Sequence, residues 1–164
     1  MSRIFSPVCS YPIFPDNDEV TDEMIFRRFS SFYDTFPSHS FEHTADPFTG
    51  SKREVCIYQM THGAGPLPFE QVQEYLSEEC YQLGTLFHLA PFLESIYYRE
   101  RARLTIFAPA TRIILSSGAV SIPYFQNLGS MHPDLLGEKG KLHIGGEKQR
   151  LQLGSCIVAF RAKS

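Results

Sequence analysis

Residues 69–90 read FEQVQEYLSEECYQLGTLFHLA, the most regular hydrophobic pattern in this chain of 164 residues. Apolar side chains recur every three or four residues, which is the spacing of one helical face. The other side of the stretch is polar and rich in glutamate. The apolar stripe consists of Phe69, Val72, Leu76, Cys80, Leu83, Phe87 and Ala90. The pattern predicts a long amphipathic helix that Pro91 kinks or ends.

Short runs of β-branched and aromatic residues flank this predicted helix and indicate strands. They cover residues 53–61, 101–108, 111–117 and 119–125. In the first run apolar side chains point both ways, so we expect a central strand. Ser117 and Gly118 predict a tight turn between the last two strands, and Pro123 predicts that the last one lies at a sheet edge.

The C-terminal part contains a small repeat, GEKGKLHIG (137–145) followed by GEKQRLQLG (146–154). Nonapeptide repeats of the calcium-binding type need aspartates that are missing here, and two copies are too few for a solenoid. The repeat predicts a hairpin with KLHI and RLQL as its strands. A last strand follows, with Cys156, Val158 and Phe160 on one face.

The N-terminal part begins with an extended arm, residues 1–17, which three prolines keep from forming a regular helix. Residues 18–36 predict a second helix, capped by Asp18 or Thr21. Its apolar stripe is Ile25, Phe29, Phe32 and Phe36. Residues 37–53 are rich in Ser, Thr, His, Pro and Gly, which is typical of a loop.

These elements predict an α+β fold, a mostly antiparallel sheet with the long helix on one face and a second N-terminal helix. We expect a single domain over residues 1–164, because no linker is visible and the length suits one core. Hydrophobic residues make up 43% of the chain and charged ones 20%, which is ordinary for a globular protein.

The compartment is predicted from what the sequence lacks and from its cysteines. No apolar run approaches a membrane span, and the start has no continuous apolar signal region. The four cysteines lie far apart and form no C-x-x-C pair. We therefore expect a soluble cytoplasmic protein with free thiols and no membrane contact, with a disulfide pair as the alternative.

Charge is divided unevenly along the chain, although the net charge is only −3. Residues 1–82 carry five Lys and Arg against thirteen Asp and Glu, and residues 83–164 carry ten against five. Such asymmetry can mark an acidic or basic partner surface. The alternative is that the two halves pack together and the charges mix.

The segment PSHSFEHTADP (37–47) contains His39, Glu42 and His43 in the order H-x-x-E-H, which inverted zinc peptidases use. On a helix, this spacing turns both imidazoles toward one metal ion, and the glutamate polarises the bound water. The condition is that residues 38–45 are helical, yet prolines bound the segment closely. The main expectation is two solvated loop histidines and no cofactor, with zinc as the alternative.

A second candidate site is the turn HGAGPLP (62–68), where His62 stands beside Gly63 and Gly65. A glycine turn between a strand and a helix can present backbone N–H groups to an anion, and His62 could supply a proton. The turn matches no nucleotide-binding motif. A small hydrolase-type enzyme centred on His62, or on Glu42 with its histidines, is therefore the alternative function.

A basic cluster in YYRERARL (97–104) consists of Arg99, Arg101 and Arg103. Arginines beside tyrosines can bind phosphates and stack on bases. The overall pI of about 6.1 argues against nucleic acid, so we expect an acidic protein surface as their partner.

The arm carries more apolar surface than a monomer is expected to hide, at Phe5, Tyr11, Ile13 and Phe14. A contact between subunits would cover it, and so would wrapping over its own domain. The function predicted from the sequence is an interaction module that binds another macromolecule or itself, as a homodimer through the arm or a sheet edge, with no catalysis assigned.

Overall fold

The computed structural model describes residues 4–13, 21–29, 38–44, 53–63, 66–94, 105–126, 141–146 and 150–161. Within these ranges the helices are α1 (Asp22–Phe29), α2 (Phe69–Ser77) and α3 (Leu86–Glu94). The first strands are β1 (Phe5–Ile13), β2 (His39–His43), β3 (Arg53–Met60), β4 (Leu67–Pro68), β5 (Tyr81–Leu83) and β6 (Thr105–Phe107). The others are β7 (Thr111–Leu115), β8 (Val120–Gln126), β9 (Lys141–Gly146), β10 (Arg150–Leu151) and β11 (Cys156–Arg161).

Nine of these strands form one sheet in the order β1-β3-β11-β6-β8-β7-β2, with β5 also beside β11 and β9 also beside β8. Every pair is antiparallel except β6 with β11. Strands β4 and β10 pair separately. The predicted mixture of helices with a mostly antiparallel sheet is confirmed.

The core lies on both faces of this sheet. Val55 and Ile57 of β3 belong to one apolar cluster, which α1 and α3 cover, and Cys56 and Tyr58 belong to another, which α2 covers. Successive side chains of a strand point to opposite faces, so a strand that is apolar throughout needs cover on both. The prediction of a central strand is confirmed, because β3 lies between β1 and β11.

Helix α1 begins where the sequence places a capping residue. The Thr21 hydroxyl accepts a hydrogen bond from the Met24 N–H at 3.2 Å, and the Thr21 carbonyl accepts one from the Ile25 N–H at 3.2 Å. The first bond satisfies one of the N–H groups that a helix start leaves open, and the second is the first intrahelical bond, so Thr21 is the N-cap. The predicted helix is thus present over 22–29, and residues 30–36 lie outside the described residues.

The single long helix predicted for residues 69–90 is wrong, because the structure has two helices of nine residues with strand β5 between them. The chain turns at Glu78–Cys80, where Cys80 takes a left-handed backbone conformation with φ 64°. Pro91 lies inside α3 and does not end it. Cys80, placed on the apolar stripe by its spacing, is exposed.

Backbone hydrogen bonding explains why β5 interrupts the helical pattern. Residues of β5 pair with β11, and the Gln73 side chain accepts the Leu83 N–H at 2.9 Å. Gly84 then lies so close to β11 that a Cβ there would stand 3.1 Å from both Val158 Cγ1 and the Val158 carbonyl oxygen. Residues 159–161 of β11 extend beyond its pairing with β6 and gain from β5 the backbone partners that a continuous helix would not supply.

The edge position predicted from Pro123 is wrong. Strand β8 has β6 and β7 on one side and β9 on the other. Pro123 lies opposite the interruption between β6 and β7, and its carbonyl accepts the Ala108 N–H at 3.1 Å. No ladder bond requires its missing N–H at this point, so proline fits inside the sheet.

The prediction that KLHI and RLQL form a C-terminal hairpin is also wrong. Strand β9 pairs with β8 in the large sheet, and β10 pairs with β4, with Leu151 opposite Leu67. Each half of the repeat therefore has a partner distant in sequence.

The turn after β7 is confirmed, since Gly118 has φ 88° and donates its N–H to the Leu115 carbonyl at 2.8 Å.

Residues 5–13 of the N-terminal arm form strand β1, an end strand of the sheet next to β3. Phe5 is 2% exposed and Ile13 is 9% exposed, each in a different core cluster. A register shift between Pro7 and Cys9 puts a bulge in the strand. The described part of the arm thus lies across its own sheet.

Candidate interaction site at strand β2

Strand β2 replaces the loop that the sequence predicts for this region. Its side chains alternate, with His39, Phe41 and His43 partly buried and Ser40 and Glu42 exposed. This period of two is the pattern of an edge strand with one face on the core. The sequence signal is present in HSFEH, but two of the three inward residues are histidines, which hydrophobicity patterns do not count as core.

Two carboxylates at the start of α1 bind the two histidines of β2. His39 Nε2 lies 2.9 Å from Glu23 Oε2, and His43 Nε2 lies 2.8 Å from Asp22 Oδ2. Burial raises the pKa of the Asp22 carboxyl above its ordinary value, and the hydrogen bond and charge of His43 oppose that rise. We call these two pairs the His–carboxylate seam; they fix β2 to α1.

Aromatic rings pack around the same histidines. The ring of Phe26, fully buried in α1, lies 5.6 Å from the His39 ring and 6.0 Å from that of Phe41. The His43 ring meets Phe87 of α3 edge-on, with 5.5 Å between centroids. The inner face of β2 is thus held by polar and apolar contacts together.

Among the described strands, the backbone of β2 pairs with β7 alone. The Thr44 N–H donates to the Ala110 carbonyl at 2.8 Å, and the Ser116 N–H donates to the Ser38 carbonyl at 3.0 Å. In an antiparallel ladder, alternate residues bond across, so the even-numbered residues of 38–44 face β7. The N–H and C=O groups of Phe41 and His43 therefore point away from β7, where no described strand pairs with β2.

The other end of the sheet differs from β2. Strand β1 carries Pro7 and Pro12, both exposed, and the bulge after Pro7. Prolines and bulges are devices that keep edge strands from pairing with further strands. Strand β2 has neither a proline nor a register shift. Of these two edge strands, β2 is the one suited to receive another strand; β9, which pairs only with β8 among the described strands, is a further edge.

The metal hypothesis required a helix at residues 38–45, and the structure has a strand there. His39 and His43 share the inner face, whereas Glu42 is exposed on the other face, opposite Arg112 of β7. Each histidine binds its own carboxylate in the seam. Within the described ranges, no group of three or more His, Cys, Asp or Glu side chains could hold a metal ion.

His62, the catalytic candidate, is exposed just after β3. Its Nδ1 lies 3.1 Å from the Thr61 hydroxyl, which lies 3.1 Å from the Ser6 hydroxyl of β1. His62 follows β3, the other two candidate histidines belong to β2, and these two strands do not pair with each other. Ala64 and Gly65 lie outside the described residues.

The binding residues predicted in the arm are partly accounted for within the chain. Phe5 and Ile13 are buried in the cores, and the Tyr11 hydroxyl donates to the His88 carbonyl. Burial raises the pKa of Tyr11 well above its ordinary value. Their apolar surface is thus covered without a second subunit. Phe14 lies outside the described residues, as do Arg99, Arg101 and Arg103, so the acidic partner remains a prediction.

The thiols have different environments, and none of the four cysteines forms a disulfide. Cys56 and Cys156 are buried, which raises their pKa values to about 11 and about 12. Cys80 is exposed and Cys9 is half-buried. Cys80 and His88 now belong to different elements, and the His88 ring stacks on Phe160 with centroids 4.3 Å apart.

Asp22 and Glu23 carry no sequence signal of a site. Acidic side chains are favourable in the first turn of any helix, so their presence there does not indicate a partner. Only the tertiary contact between α1 and β2 reveals their partners.

No family model matches this chain, and neither a curated protein nor a solved structure does. Among the helices described, none has the length and apolar character needed to cross a membrane.

Proposed function

We propose that this protein is a binding module, with no catalysis assigned, that receives an extended segment of a protein partner along the open side of β2. In this mode the incoming segment adds a strand to the sheet and gains backbone hydrogen bonds. The observation that carries the proposal is the direction of the Phe41 and His43 backbone groups, which point away from β7.

The rigid inner face of β2 supports this proposal. An added strand binds best to a strand that is already ordered, because less conformational entropy is lost on binding. The His–carboxylate seam and the ring of Phe26 hold the side chains of β2 in place. The strand therefore presents its outer backbone groups in a fixed geometry.

A proline at position 43 tests the proposal, because it removes an N–H that points outward and leaves the bonds to β7 in place. We expect His43→Pro to weaken the binding of peptides selected from a random-sequence library against the wild-type protein by about tenfold, since one backbone hydrogen bond is lost and the ring obstructs the approach. Fluorescence anisotropy of the labelled peptides measures the change.

His43→Gln is the matched control. Both variants lose the imidazole and its pair with Asp22, but only the proline variant loses the N–H. Peptide binding should survive in His43→Gln, and hydrogen exchange at the Phe41 amide should slow when peptide is bound. Equal binding by the two variants would show that the peptides dock elsewhere and would overturn the proposal.

A further inference from the structure

We infer that the strand received by β2 is β2 of a second copy of this chain, paired antiparallel about a two-fold axis at Phe41. The inference rests on the proposed function and names its partner. A two-fold interface uses the same surface on both copies, so that surface must be complementary to itself. The segment HSFEH (39–43) has this property in both its backbone direction and its side chains.

The backbone sets the register of such a pair. Only odd-numbered residues of β2 point their N–H and C=O groups outward, so odd residues must face odd residues of the second copy. Centring the axis on Phe41 places Phe41 opposite Phe41 of the second copy, where the two residues exchange two hydrogen bonds. The same register places His43 opposite His39 and gives the two strands their longest overlap.

The exposed side chains favour this register over the one centred on Glu42. Centring on Phe41 places Ser40 opposite Glu42 of the second copy, and symmetry repeats the pair. A hydroxyl can donate to a carboxylate at the distance between opposite residues. A shift by two residues in one direction would place Glu42 opposite Glu42, which is repulsive. A shift in the other direction would place Ser40 opposite Ser40 and Glu42 opposite Ser38, which is also a hydroxyl donor, so only the shorter overlap of HSFEH disfavours that register.

The charge of Arg112, next to the Ser40–Glu42 pairs, also supports the proposed dimer. Arg112 of β7 lies directly opposite Glu42 on the exposed face, so each carboxylate has a guanidinium on the adjacent strand. The two Glu42 side chains of a dimer would lie diagonally across the interface, and Arg112 offsets their repulsion. Because five residues form a small interface, we expect a reversible dimer whose population depends on protein concentration.

Opposite charges at Ser40 test the inference, because this side chain is exposed and its replacement leaves the core of the monomer intact. Ser40→Glu places a carboxylate opposite Glu42 of the second copy at both symmetric positions and should weaken the dimer about tenfold. Ser40→Lys forms an ion pair with Glu42 at both positions and should strengthen the dimer several-fold. Sedimentation equilibrium over a concentration series in low salt measures both dissociation constants.

The matched controls are Ser10→Glu and Ser10→Lys, at an exposed position of the β1 edge. Dissociation constants should be unchanged in both, and circular dichroism should show that all four variants are folded. The inference would be overturned by a wild-type protein that stays monomeric into the millimolar range, by Ser40 variants that shift the equilibrium in the same direction, or by a response at Ser10 alone.

The two proposals can fail separately. A monomeric wild-type protein whose library-selected peptides still distinguish His43→Pro from His43→Gln would overturn the second copy as partner and keep the binding edge. A monomer for which the library yields no peptide sensitive to His43→Pro would overturn both. A dimer that responds oppositely to Ser40→Glu and Ser40→Lys supports the inference whatever the peptides show.

Discussion

At the scale of single residues, environment separates side chains that look alike in the sequence. Cys56 and Cys156 lie in opposite cores, whereas Cys80 is exposed in the turn after α2. The sequence placed Cys80 on an apolar stripe because its spacing fits a helix. The turn at Glu78–Cys80 removed that helix and brought the thiol to the surface.

Thiol reactivity should follow this difference. At pH 8 the burial of Cys56 and Cys156, with pKa values of about 11 and about 12, leaves almost no accessible thiolate. We expect an alkylating reagent to label Cys80 in the native protein before either of them, as read by mass spectrometry of proteolytic peptides. The Cys80→Ala variant should lose the fast label, and rapid labelling of Cys156 in that variant would contradict the prediction.

Asp22 gives a prediction for the pH dependence of stability. Its pKa is raised in the folded state by burial, so between the ordinary carboxyl pKa and this raised value the folded chain binds more protons than the unfolded chain. The contribution of Asp22 to the free energy of unfolding therefore falls as pH rises through that window. Asp22→Asn should remove this fall, measured by urea unfolding at a series of pH values.

His43→Gln provides the opposite change for the same group. His43 lowers the pKa of Asp22 through its hydrogen bond and its charge, so losing the imidazole should widen the window in which stability falls. The double variant Asp22→Asn with His43→Gln should not show that widening. Identical slopes in wild type and Asp22→Asn would show that Asp22 does not titrate as its burial requires.

At the scale of elements, a local pattern was overruled by a contact distant in sequence. Residues 69–90 have the periodicity of one helix, but β5 within them pairs with β11. Gly84 allows the backbone after β5 to lie close to Val158 of β11. Residues 38–44 behave in the same way: their composition is typical of a loop, but pairing with β7 makes them a strand. A local pattern indicates which conformation a segment favours in isolation. When helix, loop and strand conformations have similar free energies, pairing with a distant strand decides among them.

Gly84 tests this account of the break between α2 and α3. A methyl group there would stand 3.1 Å from Val158 Cγ1 and 3.3 Å from His88 Cβ, and neither neighbour is the end of a flexible side chain. We expect Gly84→Ala to lower the free energy of unfolding by about 1–3 kcal/mol, the range typical of overpacking. Urea unfolding measures the loss.

Gly63→Ala is the control for that substitution. A Cβ at Gly63 would meet only Met60 Cε at 3.8 Å and Sδ at 3.9 Å, which are ordinary contacts. Its effect on stability should stay within about 0.5 kcal/mol. Equal losses at the two glycines would show that the close approach of Gly84 to β11 is not the cause, since the entropy effect of replacing glycine by alanine raises stability.

At the scale of the whole molecule, the edge strands β1 and β2 of one sheet differ in character. The β1 end carries prolines and a bulge, and the β2 end has an ordered strand with outward backbone groups. The uneven charge of the two chain halves is partly mixed by folding, since Arg161 Nε lies 3.4 Å from Glu54 Oε2. An acidic partner for Arg99, Arg101 and Arg103 stays a prediction.

Elements whose pattern is local could be predicted from the residues alone. These include the doubly apolar strands β3 and β11, the Thr21 cap and the turn at Gly118, because periodicity, capping and a left-handed glycine each act over a few residues. Only the tertiary structure decided what depends on pairing: the break at Cys80, the interior position of Pro123, the separate partners of β9 and β10, and the seam of α1 with β2. Those contacts join residues far apart along the chain, and no local period encodes them.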